Sequence, residues 1–447
     1  MFFARTDRVA RRLEDVWSII PTGVVERHCC FPARWVFSQW SVRGGSRWTP
    51  QRLAWVAGMM AWDEGQTLDA RWDHACEVAG SLHPHWRLGT SYSGFAAALV
   101  RESPRLVRGI KAKFQRAMLA MGGPQTRCGW QAFAADGSRE EAPLTEANEE
   151  GLGCAGRAKT GPQVFMTTLW HMGLGLPWDF RVGPGTDSER RHLEQMLEDL
   201  PQPSLIVADA GFAGYELCQR VLDARHSFLL RVGGNIRLLT ELGWEHEERE
   251  GLVYLWPQKH RHLPPLVLRL IVLGRGKQEI YLLTNVLQPK QLSEEEAGVL
   301  YEMRWGVEVF YRSYKQTLHR RRLLSRTPAT CLAECSWTML GLWLLGLLTV
   351  RELVGKQFDP LSWSVALARN AVRRALRRSI SGSHRGQLFD ELAAAVKDGY
   401  QRHGPKAARD YPRKKREKPP GPPKIQSATA KETDTAKQLR DKIAIAA

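Results

Sequence analysis

Eight cysteines stand in this chain of 447 residues, at positions 29, 30, 76, 128, 154, 218, 331 and 335, but they lack any useful spacing. No two make a C-x-x-C pair and no set matches a zinc-ligand pattern, so neither a structural metal nor a redox dithiol is expected. The one local cluster, His28-Cys29-Cys30, reads as idle or buried thiols. An apolar leader is missing too. The opening "MFFARTDRVARR" is charged where a secretory signal would be apolar, and the expectation is a reduced, cytoplasmic protein. The uncharged stretch "CSWTMLGLWLLGLLTV" (335–350) is bounded by Glu334 and Arg351. It falls short of the ~20 residues that span a bilayer, so it reads as a central buried helix and no membrane is expected as a partner. "GRAKTGP" holds Lys159 and Thr160 without the G-x-x-x-x-G-K spacing, which indicates no nucleotide cofactor. No internal repeat is found. Acids are in deficit: 47 Asp and Glu against 64 Lys and Arg leave a net charge of +17. Such an excess points to a polyanionic partner, nucleic acid or an acidic membrane surface.

The pattern of what is there changes along the chain. Residues 1–125 read as mainly helical, with basic faces on "QRLAWVAGMMAWDE" and "SGFAAALVRESPRLVRGIKAKFQRAMLAMG". After the break "GGPQTRCG", short apolar runs predict strands at 129–136, 164–172, 177–182, 204–209 and 227–232. Helices are predicted at 188–200, with Asp187 or Ser188 as cap, and at "YELCQRVLDAR". This is an α/β layered pattern in which Asp136, before a Gly137-Ser138 turn, and Asp209 both end strands. Runs between about 234 and 290 alternate like antiparallel strands and read as an all-β insertion. Ser293 and Glu296 form a capping box, predicting one long helix from 293 toward Thr327-Pro328. Residues 351–403 read as a basic helical region. The Lys- and Pro-rich 404–447 segment reads as a disordered basic tail.

One stretch of the long helix stands out, "YEMRWGVEVFYRSYKQTL" at 301–318. On a wheel of ~100° per residue, Tyr301, Arg304, Glu308, Tyr311, Arg312 and Lys315 share one arc. Met303, Val307, Phe310, Tyr314 and Leu318 share another, which reads as core. Ion pairing of Glu308 with Arg304 and Arg312 on a solvated face is one account of the polar arc, at ~0.2–0.5 kcal/mol per pair. The other is an active site. Two strand-end aspartates and a helix carboxylate, converging from separate elements, can hold two divalent ions ~3.5–4 Å apart, and nearby cations would hold DNA phosphates.

Tyr301, Arg304, Glu308 and Lys315 spell the Y-(2)-R-(3)-E-(6)-K signature. With "AADGS" around Asp136 and "VADAGFAGYE" around Asp209, the chain resembles the DDE transposases of the bacterial insertion-sequence family called IS-four, over roughly residues 125–350. The resemblance implies a ribonuclease-H-like catalytic core at 126–350 carrying the all-β insertion. A mainly helical N-terminal DNA-binding region at 1–125 and a helical C-terminal region complete the expected fold. It implies Asp136, Asp209 and Glu308 as catalytic metal ligands, and Tyr301, Arg304 and Lys315 as contacts to the DNA backbone. The cofactor would be two Mg2+ ions, with Mn2+ able to substitute. The partner would be double-stranded DNA, terminal inverted repeats and target, bound by a homodimer in a synaptic complex near the nucleoid. The activity would be cut-and-paste transposition. A structure-specific nuclease on the same fold and a non-catalytic repressor relative are the alternatives.

Several residues have ordinary readings beside functional ones. The resemblance also implies an aromatic of the insertion that holds a flipped base, for which Trp244 and Trp256 are candidates, and each is equally a candidate for core. His171 reads as a core histidine. "HRRRLLSR" (319–326) reads either as a DNA contact or as a solvated basic face. Asp179 and Asp187 are rival first acids, but one falls mid-strand and the other suits a helix cap.

Overall fold

The structure is a computed structural model that describes residues 47–155, 161–245, 251–274, 279–380, 388–399 and 421–446. The His28-Cys29-Cys30 cluster and Lys159-Thr160 lie outside the described residues.

Three helices lead, α1 (Pro50–Trp62), α2 (Leu68–Leu82) and α3 (Tyr92–Ala120). Thr49, Thr67 and Ser91 cap them, each side chain accepting a first-turn backbone N–H. Strands β1 (Ala132–Glu141), β2 (Gln163–His171) and β3 (Leu176–Pro184) form an antiparallel meander. Helix α4 (Glu146–Leu152) lies between β1 and β2, and α5 (Glu189–Glu194) follows β3. Then come β4 (Leu205–Ala208), α6 (Tyr215–Asp223) and β5 (Ser227–Val232). Strands β1, β4 and β5 pair in parallel. Buried on both faces, β4 reads as the continuous run "LIVA", as central parallel strands do.

The insertion is a second meander, β6 (Arg237–Thr240), β7 (Leu252–Leu255), β8 (Leu266–Leu273) and β9 (Ile280–Thr284). It continues the same sheet, because β9 pairs antiparallel with β5. Among the described residues the sheet has ten strands; with β10 (Lys424–Ser427) at one edge, the order is β10-β6-β7-β8-β9-β5-β4-β1-β2-β3. The fold is a mixed α/β one with a large sheet and many helices.

The expected single helix from 293 is broken. Ser293 and Glu296 do form the capping box of α7 (Glu294–Met303). A tight turn at Arg304 leads into α8 (Trp305–Arg312), and a π-helical turn, Ser313–Thr317, follows. His319, with φ at 53°, ends the run. A new helix, α9 (Pro328–Gly355), starts from the Thr327 cap.

Among the described residues, α9 is the helix long and apolar enough to cross a membrane, but most of its apolar stretch is buried inside the fold. It packs against α1, α3 and β3. The Trp62 indole donates to Gly341 O at 2.9 Å, and Arg320 donates to the backbone oxygens of Met60 and Asp63. One continuous core therefore runs from the N-terminal helices through the sheet.

Helices α10 (Val365–Ile380) and α11 (Leu388–Ala393) follow. The disordered tail expected at 404–447 is corrected for its second half. Lys424–Ser427 forms β10, parallel to β6 at the sheet edge, and Ala430–Ala446 forms α12. Glu432 binds this segment to the insertion, pairing with Arg237 at 3.2 Å and Arg261 at 2.6 Å. The basic composition concealed this order because the contacts that hold it lie far away in the chain.

Candidate active site

Strand β1 runs on through Gly137 and Ser138 to Glu141, so Asp136 does not end a strand and no turn follows it. What ends near Asp136 is the parallel partner. Ala135 pairs with Ala208, the last residue of β4, and Asp209 follows directly. Asp136 and Asp209 therefore take equivalent register positions on neighbouring strands, which lie ~4.8 Å apart. The row continues on both sides: Thr168 faces Asp136 from β2, and Arg231, next after Leu230 opposite Ala208, reaches Asp209 at 4.0 Å.

Helices α7 and α8 lie over this row. The Tyr301 hydroxyl donates to Asp209 Oδ1 at 3.2 Å. The Tyr311 hydroxyl is 3.0 Å from both Asp136 O and Thr168 Oγ1. A side chain at Gly306 would collide with Trp170 of β2, so glycine there lets α8 settle on the sheet. Glu308, one turn above Arg304, accepts from its Nη2 at 3.3 Å.

The charges act on one another. Burial pushes Asp136 up to about 6, an effect that Arg304 and the Gly137 N–H oppose and that Glu308 and Glu189 reinforce. Burial also raises Glu308, with Asp209 adding to the rise and Arg304 opposing it. The mouth is open on one side, where the Asp209 and Glu308 side chains remain 44% and 34% exposed.

The polar arc of the wheel is corrected. Tyr301, Arg304 and Tyr311 are buried against the sheet, as are Val307, Phe310, Tyr314 and Leu318 on the other arc. Arg304 is 4% exposed, and its Nε has no partner among the described residues. A helix lying in the fold with both arcs covered leaves Glu302, Trp305, Val309, Arg312 and Gln316 outward. Lys315 is half-buried and bound to Glu140.

Sequence reasoning missed Glu189. Its carboxylate lies between the two aspartate segments: a side chain at Gly211 would strike it, and one at Gly137 would sit 3.1 Å from Oε2. Burial raises Glu189, and Asp209 adds to the rise. In "SERRHLE" it looked like an ordinary first-turn acid, favourable at any helix N-terminus.

The rival acids are engaged elsewhere. Asp179 is buried in β3 with Lys111 and Arg181. Asp187 holds His192 at 3.1 Å. His171 is a buried core residue whose Nδ1 accepts from Leu174 N. Trp256 is buried too, donating to Leu263 O with the Arg261 guanidinium 4.2 Å above its ring. Trp244 is partly buried against the core.

Carboxylate oxygens are the hard donors that Mg2+ takes, so the donor chemistry suits a divalent ion. Among the described residues, no three His, Cys, Asp or Glu side chains stand close enough to share one ion. Arg304 supplies the positive charge between Asp136 and Glu308.

Residues 136–344 match the family model described as "Transposase DDE domain". Over these residues the chain is similar to DDE transposases, and the relatives it matches are transposases of IS4-type insertion sequences. It is 29% identical over 220 residues to the transposase InsG for insertion sequence element IS4 of Escherichia coli (strain K12), covering 46% of this chain and 49% of that protein. A relative named for insertion sequence element IS4SA, from Synechocystis sp., is 20% identical over 190 residues, covering 41% of this chain and 53% of its own. The chain thus spans about half the length of the curated relatives it matches. A piggyBac transposase from a synaptic complex with hairpin DNA aligns over 82% of both chains at 12% identity. Its TM-score of 0.39 is too low to say anything of the fold. The DDE match begins at Asp136 and ends within α9, so it takes in both aspartates, the insertion and the α7–α8 pair.

Proposed function

We propose that the protein is a cut-and-paste DNA transposase that cleaves at the terminal inverted repeats of its element and joins the freed end to target DNA. The observation that carries this reading is the register of Asp136 and Asp209 on parallel neighbours, with Glu308 coupled to both from the helix above. The strand order β3-β2-β1-β4-β5, with β1, β4 and β5 parallel, supports a ribonuclease-H-like core. The catalytic region would be 126–350, with the N-terminal region 1–125 as a DNA-binding flank and 351–403 as a basic C-terminal region.

Asp136, Asp209 and Glu308 would hold two Mg2+ ions, with Mn2+ as a substitute. When bound, such ions activate a water or a 3′-hydroxyl and stabilise the leaving oxygen of the phosphodiester. The chain's own residues orient the acids. Tyr301 fixes Asp209, Tyr311 fixes the backbone at Asp136, and Arg304 steadies Glu308. Arg312, exposed on α8, and Lys315 face backbone phosphates as point charges. The net charge of +17 suits a DNA partner, and two ends held together call for a homodimer acting in the cytoplasm.

The test is a labelled duplex carrying the element's terminal repeat, incubated with Mg2+ and read for both cut and joined products. Asp209→Asn and Glu308→Gln should abolish both products while end binding persists. Cutting without joining would establish a nuclease instead, and binding without either product a repressor.

A further inference from the structure

Three residues past the end of α8, the chain uses one of its signature cations to satisfy a buried acid. Glu140 lies on β1 four residues beyond Asp136, on the same face of the strand. Its side chain is fully buried. Oε1 takes the Lys315 ammonium at 3.2 Å and the Ser138 hydroxyl at 3.2 Å. Oε2 is buried with no hydrogen-bond partner among the described residues. Lys315 also donates to Arg139 O at 3.0 Å. An ammonium has three N–H donors, so these two acceptors leave one, and the Lys315 side chain is 31% exposed.

The π-helical turn at Ser313–Thr317 carries Lys315, which meets β1 at Arg139 and Glu140. A buried carboxylate that lost this cation would be left uncompensated, which is costly. Lys315 is therefore held where it stands. Glu140, which holds it, stands about 13 Å from Asp136 along β1, at roughly 3.3 Å per residue. A cation held at that end of β1 would meet flanking backbone rather than the reacting phosphate.

We propose that Glu140 is a positioning residue that holds Lys315 with one donor aimed at a DNA phosphate beside the cleaved bond. This rests on the transposase reading above. A pre-set ammonium gives up little side-chain freedom on binding, so a neutral neighbour should weaken DNA binding even though it makes the protein more positive. Burial pushes Glu140 up to about 7, and Lys315 opposes the rise, which accords with the pairing.

The experiment compares wild type, Glu140→Gln, Lys315→Met and the double variant. Each is titrated with a duplex ending in the terminal repeat across a salt series, with a thermal melt of every variant. Glu140→Gln should lower affinity roughly three- to tenfold without changing the salt slope. Lys315→Met should lower affinity and flatten the slope by about 0.9, one phosphate's worth. In the Lys315→Met background, Glu140→Gln should cost nothing more.

Tighter or unchanged binding by a folded Glu140→Gln variant overturns the proposal, as does additive loss in the double variant. Should Glu140→Gln fail to fold, the slope of Lys315→Met decides alone: no flattening means Lys315 meets no phosphate. Wild type that neither binds nor cuts the repeat would sink the transposase reading itself, a result distinct from any of these.

Discussion

Asp136 is held at a cost that a single substitution can measure. Its carboxyl rises from an ordinary 3.8 to about 6, chiefly through burial. A shift of about 2 units corresponds to roughly 3 kcal/mol, since each unit is worth 1.36 kcal/mol. Below the unfolded value the group is protonated in both states and costs nothing. As pH rises through about 6 it ionises in the fold as well, and the full penalty applies above that. Asp136→Asn removes the charge but keeps the oxygen that accepts from Gly137 N at 2.9 Å. The variant should therefore gain about 2–3 kcal/mol over wild type at about pH 8 and almost nothing at about pH 3. A gain of that size raises the melting temperature of a chain this long by roughly 2–3 °C. The assay is a pair of thermal or urea melts at the two pH values, in chelator so that no divalent ion offsets the charge. The difference between the pH values isolates ionisation from any imperfect fit of the amide. If the variant gains equally at both, or loses stability at the higher pH, Asp136 does not carry its charge at the expense of the fold. Its place among interacting acids would then need another account.

Three other outcomes follow from the packing. Arg304→Ala should destabilise the protein by about 2–3 kcal/mol, because it removes a charged hydrogen bond to Glu308 and a guanidinium stacked near Tyr301 and Trp305; an unchanged melt would mean the side chain is dispensable to the fold. Tyr311→Phe should lose about 1–3 kcal/mol, since Thr168 and the Asp136 carbonyl lose a buried partner, and chemical denaturation will show whether it does. Ending the chain at 420 strips β10 from β6 and leaves Arg261 without Glu432, and should cost about 2–4 kcal/mol and open the insertion to protease; equal proteolysis of both forms would show that the segment contributes no stability.

Much of the architecture could be read before the structure, and for local reasons. Apolar runs bounded by turns marked β2, β3, β4 and β5, and Ser293 with Glu296 marked the start of α7, because strand and cap signals reside in a few adjacent residues. Val307, Phe310, Tyr314 and Leu318 fell on a core arc for the same reason. What failed was anything set by a distant partner. Asp136 was expected to end its strand because Asp-Gly-Ser looks like a turn, yet β2 continues to pair with β1 past Ser138. The tail looked disordered by composition, but Glu432 finds Arg261, 171 positions away.

The sequence by itself determined the residue types, their spacing on each element, and the match of residues 136–344 to a transposase DDE domain. Only the tertiary structure decided which of those groups share a low-dielectric space. Helix periodicity says which residues point the same way but not whether that face meets water or a sheet. Tyr311 lies 143 positions from Thr168, and Glu140 and Lys315 come together only when α8 lies across β1. Burial and charge coupling arise from those long-range contacts, so Arg304 became a buried cation, Glu189 joined the acids, and Lys315 acquired a partner that no local pattern contains.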